Sequence, residues 1–76
     1  MNNITSYISI NSDIRFGKPC ISGTRIAVSD ILQWLASSMT MQEIIDDYPP
    51  LREEHIRAAL LFAANREVAM KIISVA

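Results

Sequence analysis

The positions of glycine and proline divide this chain into parts that must fold differently. Both glycines and one of the three prolines lie in the stretch GKPCISGTRIAV, residues 17–28, together with the single cysteine. The other two prolines are adjacent, at positions 49 and 50. Because glycine and proline mark turns and end helices, this front stretch is predicted to form turns, and the segments on either side of the paired prolines to form helices.

The size of the chain limits how much apolar surface it can hide. It has 76 residues, half of them hydrophobic, which predicts a single domain, 1–76, near the size at which one core becomes marginal. Some apolar side chains should therefore remain exposed for a partner protein or for a second copy in a homodimer. One cysteine excludes an intrachain disulfide, and the start MNNITSYISI lacks signal-peptide order, so a cytoplasmic protein is expected.

Residues 1–28 are predicted to form a β-rich front segment. In ITSYISIN the alternation places Ile4, Ile8 and Ile10 on one face, which predicts a strand. The stretch CISGTRIAV predicts a second strand, so the two are expected to form a hairpin or a bent ribbon. Two strands alone are barely stable, and the ribbon must therefore lie against helices or pair with another chain.

Residues 29–73 are predicted to form three helices, which makes the fold mainly α, with a short β-ribbon in front. Ser29 is the expected cap of the first helix. Thr40 and Glu43 have the spacing of a capping box for the second, which ends before the paired prolines. The third helix is expected to begin near Arg52, although arginine is a poor cap.

The third predicted helix is apolar on more than one side. A helix of this kind is either deeply buried or shared between chains, and the small number of other elements favours sharing. The alternative is a compact core that covers most of the helix. The side chains predicted for a partner or dimer interface are therefore Ile4, Ile8, Ile10, Leu61, Phe62, Ala69 and Ile72.

Charge is distributed unevenly along the chain, whose net charge is −1. Residues 1–29 carry three cations and one carboxylate, a balance of +2, whereas residues 30–57 carry six carboxylates and two arginines, a balance of −4. An anion should therefore prefer the front segment, and the residues predicted to bind an anion or DNA are Arg15, Lys18, Thr24 and Arg25. For Arg25, an ion pair with an acidic helix is favoured over a phosphate contact.

The last two predicted helices and their connector YPPLR have the length of a helix-turn-helix, and three helices in this order suit a homeodomain-like core. Glu53 and Glu54 would then lie at the leading end of the recognition helix, where carboxylates repel phosphates. If the chain binds DNA, the basic front segment should contribute, in a dimer.

No set of residues in the sequence predicts catalysis. The order of Gly17-Lys18 and Gly23-Thr24 is wrong for a phosphate-binding loop, which needs the lysine to open a helix. Cys20 has no nearby base in the sequence and is expected to be structural. The single histidine, His55, and one cysteine make a poor metal set. A protein that is not an enzyme, without a metal or a cofactor, is therefore expected.

From Ile10 to Ala64 the chain resembles the domain of unknown function family 433, many members of which are described as VapB-like antitoxins. The segments that carry the resemblance are Gly17-Lys18-Pro19, Gly23-Thr24-Arg25, Asp30-Ile31-Leu32, Glu43-Ile44, Asp47-Tyr48-Pro49 and Ile56 with Ala59-Leu60. Two positions depart from the pattern, because Ser38 replaces a usual glycine and Arg52 replaces a usual Ser or Thr cap.

The resemblance implies a small homeodomain-like domain, a partner toxin of the PIN-like nuclease group, and operator DNA as a further ligand. The expected function is therefore that of a dimeric antitoxin-like protein that sequesters the toxin by occlusion. The alternative is a stand-alone DNA-binding transcriptional regulator with no toxin. Steeply salt-dependent binding to its own upstream DNA would favour this alternative.

Overall fold

The fold is mainly helical, and it was determined as a computed structural model that describes residues 4–65. A helical turn, α1 (Ile4–Tyr7), leads into a two-stranded antiparallel sheet of β1 (Ile8–Ser9) and β2 (Cys20–Ile21). Three helices follow, and their bounds are α2 (Val28–Ala36), α3 (Met41–Asp47) and α4 (Glu53–Ala64). The predicted continuation of the last helix to residue 73 lies outside the described residues.

The front strand is much shorter than the alternation of ITSYISIN predicts, and this prediction is corrected. Ile4–Tyr7 form a helical turn, and only Ile8 and Ser9 pair with β2, opposite Ile21 and Cys20. Tertiary contacts override the local pattern, because Tyr7 lies edge-on against His55 of α4, with ring centroids 5.5 Å apart.

After β2 the chain reverses direction in a tight turn and returns to the sheet. Ile21 N–H donates to the Ile26 carbonyl, and Ala27 forms an antiparallel bridge with Cys20. Gly23 has a φ of +79° here, which glycine adopts without steric cost, so this part of the front stretch forms a turn as predicted. The return places the start of α2 directly beside the sheet.

Local hydrogen bonds begin and end the helices. The predicted capping box of α3 is confirmed, because Glu43 N–H donates to Thr40 Oγ1 and Thr40 N–H to the Glu43 carboxylate. Helix α2 begins at Val28, one residue before the predicted cap Ser29, and Ala27 N–H donates to the Asp30 carboxylate. These interactions satisfy amide groups that a helix leaves unpaired at its first turn.

A single core joins the sheet to all three long helices. Ile8 and Ile21 of the sheet contact a cluster of buried side chains from the helices and from the α3–α4 connector: Val28, Ile31, Ile44, Leu51, Ile56, Ala58, Ala59 and Phe62. Leu51 and Ile56 are both buried across the start of α4, as a hydrophobic staple requires. In the part of the chain described, no helix is long and apolar enough to cross a membrane.

Candidate functional site

The turn between the strands has an unusual backbone. Arg15, Phe16 and Gly17 have φ values of +52°, +59° and +83°, so three successive residues lie in the left-handed region. Only glycine adopts this region without a steric cost, which for other residues is about 1–2 kcal/mol each. The turn is held by hydrogen bonds from Gly17 N–H to the Ile14 carbonyl and from Lys18 N–H to the Arg15 carbonyl.

An ion pair ties this turn to the start of α2. The Arg15 guanidinium lies 2.9 Å from the Asp30 carboxylate and also donates to the Arg25 carbonyl at 2.8 Å. The hydrogen bond and charge of Asp30 raise the pKa of Arg15. Burial alone would raise the pKa of Asp30, but hydrogen bonds from Arg15 and Ala27 N–H outweigh burial and hold that pKa below its ordinary value.

The aromatic ring of Phe16 projects into solvent. The residue is 98% exposed, the highest value among the large hydrophobic residues of the described chain. Within residues 4–65 no element covers it, although it occupies a backbone conformation that a bulky side chain disfavours. The strain at Phe16 is therefore not offset by burial of its side chain.

An apolar cleft of about 400 Å³ lies between α2, α4 and the segment that follows the turn. Its apolar lining consists of Pro19, Val28, Leu32, Phe62 and Ala63. Among the described residues, Lys18 and Ser29 are its polar lining, and both are exposed. The cleft therefore combines an apolar floor with one cation and one hydroxyl group.

Cys20 is buried beside this basic region. It is 2% exposed, and burial raises the pKa of its thiol, although the positive charges of Arg15, Arg25 and Lys18 act in the opposite direction. The structural role expected for this cysteine agrees with its burial. The negative charge of Asp30 acts in the same direction as burial.

The structure divides the four residues predicted to bind an anion or DNA into two pairs. Lys18 and Arg25 have exposed side chains, and within residues 4–65 no carboxylate pairs with either. Arg15 is engaged by Asp30, so the ion pair that was favoured for Arg25 belongs to Arg15 instead. The Thr24 hydroxyl donates to the Ile21 carbonyl and accepts from Ile26 N–H, which assigns Thr24 to the turn itself.

The predicted interface residues also separate. Ile8 and Phe62 are 1% and 4% exposed, so their predicted place on an outer surface is corrected: β1 and α4 turn these side chains into the chain's own core. Ile10 is half-buried, and Leu61 is 46% exposed on α4, beside Leu60 at 43%. The side chain of Ile4 and residues Ala69 and Ile72 lie outside what the structure describes.

Residues 4–65 contain no cluster of three or more His, Cys, Asp or Glu side chains that could hold a metal ion. His55 accepts a hydrogen bond from Arg52 N–H at the start of α4, while Asp46 and Asp47 are exposed on α3. The chemistry available at the front of the molecule is that of apolar contact and charge.

Neither the exposure of Phe16 nor the cleft was predicted from the sequence. The signal for Phe16 was an aromatic residue between Arg15 and Gly17, in a segment already assigned to a turn, where no core position was available for it. The cleft had no local signal, because its lining residues come from three segments that only the fold brings together.

Comparison with known proteins adds two matches to this geometry. A family model described as "Protein of unknown function (DUF433)" matches residues 8–63. The chain is also similar to a crystal structure of a DUF433 member protein from Anabaena variabilis, with 25% sequence identity and a TM-score of 0.74. That similarity covers 92% of this chain and 70% of the other. None of the curated proteins compared with the chain matches it.

Proposed function

This chain belongs to the DUF433 family, and from that membership we propose that it is a binding protein of the antitoxin type. Its ligand is a nuclease toxin of the PIN-like group, which it sequesters by covering the toxin's active site. The residues at the front of the molecule support this function. This region, called the front face below, consists of Phe16, Lys18, Arg25 and the apolar cleft.

The observation that carries the proposal is the exposure of Phe16. A ring that is 98% exposed, in a left-handed backbone, costs the folded state free energy and contributes nothing to the core. Glycine or asparagine would make the same turn more favourably. Large aromatic side chains held out from a surface are typical anchors of protein interfaces, where burial against a partner recovers the cost.

The charge of the front face supports a nuclease as the partner. Lys18 and Arg25 are exposed, and the Asp30 carboxylate is already paired with Arg15, so among residues 4–65 Asp13 is the exposed carboxylate of the front turn. A PIN-like nuclease presents an acidic active site, so its carboxylates would meet the exposed cations Lys18 and Arg25. Complementary charge of this kind speeds association and selects the partner.

Helix α4 offers less to DNA. On its first turns, Arg57 is paired with Glu53 at 3.4 Å, and the large exposed apolar residues of the helix are Leu60 and Leu61. A recognition helix needs free donors toward phosphates and base edges, and this surface is acidic and apolar instead. Operator binding, a homodimer and a stand-alone regulator therefore remain predictions from sequence, and the protein partner is preferred.

The test is inhibition of a nuclease encoded in the adjacent reading frame. The purified nuclease is assayed on RNA with equimolar wild-type protein and with the variants Phe16→Gly and Phe16→Leu. Wild type should abolish cleavage and form a stable complex in gel filtration. Phe16→Gly should inhibit at least tenfold less well while remaining folded, and Phe16→Leu, which keeps an apolar side chain, should lie between them.

Two results would contradict the proposal. One is the absence of any complex with a neighbouring nuclease. The other is equal inhibition by wild type and by Phe16→Gly, because the exposed ring would then have no part in binding. Steeply salt-dependent binding of the chain's own upstream DNA, without any nuclease complex, would support the stand-alone regulator instead.

A further inference from the structure

The size and lining of the cleft suit one large apolar group. Its volume of about 400 Å³ exceeds the roughly 150 Å³ of an engineered protein cavity that binds benzene. It also lies within the range of about 300–1,000 Å³ that is typical of ligand-binding sites. Val28 and Leu32 of α2 and Phe62 of α4 contribute apolar surface to the walls. A phenyl ring or a branched aliphatic side chain can therefore lie against this apolar lining, with its neighbouring atoms toward the open side of the cleft.

The charge at the rim of the cleft favours a ligand that carries a negative charge beside its apolar group. Lys18 is exposed at the rim, and no carboxylate lines the cleft in the described part of the chain. Asp30 follows the lining residues Val28 and Ser29 on α2, and its carboxylate already accepts hydrogen bonds from Arg15 and Ala27. An apolar group that carries an adjacent carboxylate would gain a partner for the Lys18 ammonium, and one that carries a cation would be repelled.

We propose that the cleft is the anchor site for a partner protein, and that it holds a large apolar side chain of that partner whose neighbouring carboxylate pairs with Lys18. This inference rests on the proposed binding function and names the chemistry of the partner segment. In this complex the Phe16 ring inserts into the partner, and the cleft receives an apolar side chain from the partner.

A second copy of this chain is a poorer occupant of the cleft. The exposed aromatic residue of the described chain, Phe16, follows Arg15 and lies two residues before Lys18. Inserted into the cleft of another copy, it would bring cations toward a rim that already carries Lys18. The rim charge therefore argues for a partner with acidic residues beside its apolar anchor, rather than for self-association through this site.

The test uses N-acetyl-L-phenylalaninate as probe and N-acetyl-L-phenylalaninamide as its neutral match, titrated into the full-length protein and followed by NMR. Signals of Val28, Leu32 and Phe62 should shift with both probes. The carboxylate should bind about threefold tighter than the amide, in line with one exposed ion pair. This preference should vanish in Lys18→Met and at 1 M salt, while binding of the amide is unchanged.

A pair of matched variants tests the position of the site. Ala63 and Ala64 are both exposed on α4, but only Ala63 lines the cleft. Ala63→Leu should fill the cleft and weaken binding of both probes at least fivefold, and Ala64→Leu should bind them as wild type does. Leucine is a strong helix former, so neither substitution disturbs α4.

The proposal is overturned if neither probe shifts these signals, if the amide binds as tightly as the carboxylate, or if Ala63→Leu binds like Ala64→Leu. It is also overturned if Ala63→Leu converts a dimer into a monomer in sedimentation, because a second copy would then occupy the cleft. Nuclease inhibition that survives Ala63→Leu unchanged rejects the cleft but not the antitoxin function. Probe binding as expected without any nuclease complex rejects that function but not the cleft.

Discussion

Arg15 and Asp30 connect the strained front turn to the first long helix through a contact of 2.9 Å between guanidinium and carboxylate. Both side chains are about one-third exposed or less, at 33% and 27%. The same carboxylate accepts from Ala27 N–H, and the same guanidinium donates to the Arg25 carbonyl. One pair of side chains therefore fixes the turn, the strand return and the start of α2, and thereby positions Phe16 and Lys18.

Asp30 should make the stability of the fold depend on pH. Its pKa is lower in the folded chain than in the unfolded chain, so the unfolded state binds a proton more readily. The stabilisation is complete above the ordinary aspartate pKa of about 3.9 and is lost as the pH falls through the lowered pKa. We expect Asp30→Asn to melt at a lower temperature than wild type at pH 7, and the difference to narrow toward pH 3.

Thermal unfolding followed by circular dichroism between pH 3 and pH 7 measures this effect. Asp47→Asn is the matched control, because Asp47 is an exposed carboxylate on α3 with no ion pair among residues 4–65. A difference between Asp30→Asn and wild type that is the same at pH 3 and pH 7 would show that the charge of Asp30 is not responsible.

His55 should stabilise the start of α4 in two ways. Its Nδ1 accepts from Arg52 N–H at 2.9 Å, which is the bond that Glu or Gln usually makes from the third helical position of a capping box, and its ring meets Tyr7 in a T-shaped contact. We expect His55→Ala to lower the free energy of unfolding by about 1–2 kcal/mol, measured by urea denaturation. His55→Gln restores the capping acceptor but not the ring contact, so it should recover about half of the loss. Equal stability of the two variants would exclude the capping role.

The helices could be predicted because their signals are local. Thr40 and Glu43 are three residues apart, and the hydrogen bonds between them form within a single helical turn, so the sequence pattern was sufficient. The strand predicted over ITSYISIN failed for the opposite reason. Its backbone depends on the contact of Tyr7 with α4, nearly fifty residues away in sequence, and alternation carries no information about that contact.

The candidate site was only partly predictable. The basic character of the front segment follows from composition, and Lys18 and Arg25 are exposed as an anion-binding role requires. Which arginine forms the ion pair depends on the left-handed turn at Arg15 and Phe16, and sequence rules do not place two bulky residues in that region. The exposure of Phe16 therefore could not be derived before the backbone was known.

Cys20 should report on unfolding rather than on catalysis. Its side chain is buried, and burial raises the pKa of its thiol, so little thiolate is present or accessible in the folded state. We expect iodoacetamide to modify the native protein at pH 8 at least ~10³-fold more slowly than the protein in concentrated urea, since a typical folding free energy is about 5 kcal/mol or more. Comparable rates in the two conditions would instead identify a reactive cysteine.

Replacing Ser38 with glycine should stabilise the fold. It has a φ of +73° at the end of α2, where Ser38 N–H donates to the Leu35 carbonyl and Met39 N–H to the Trp34 carbonyl. This is a Schellman motif with serine where glycine is preferred.

We expect Ser38→Gly to raise the free energy of unfolding by about 0.5–1 kcal/mol, because glycine adopts this φ without steric cost. Ser37→Gly is the matched control: Ser37 has an ordinary φ of −86°, and its hydroxyl donates to the Gln33 carbonyl. That variant should lose stability by at least a similar amount, because glycine there adds freedom to the unfolded chain and removes the hydroxyl that donates to the Gln33 carbonyl. Urea denaturation of the two variants and of wild type measures these free energies of unfolding. A Ser38→Gly variant no more stable than wild type would mean that the backbone is not strained at this residue.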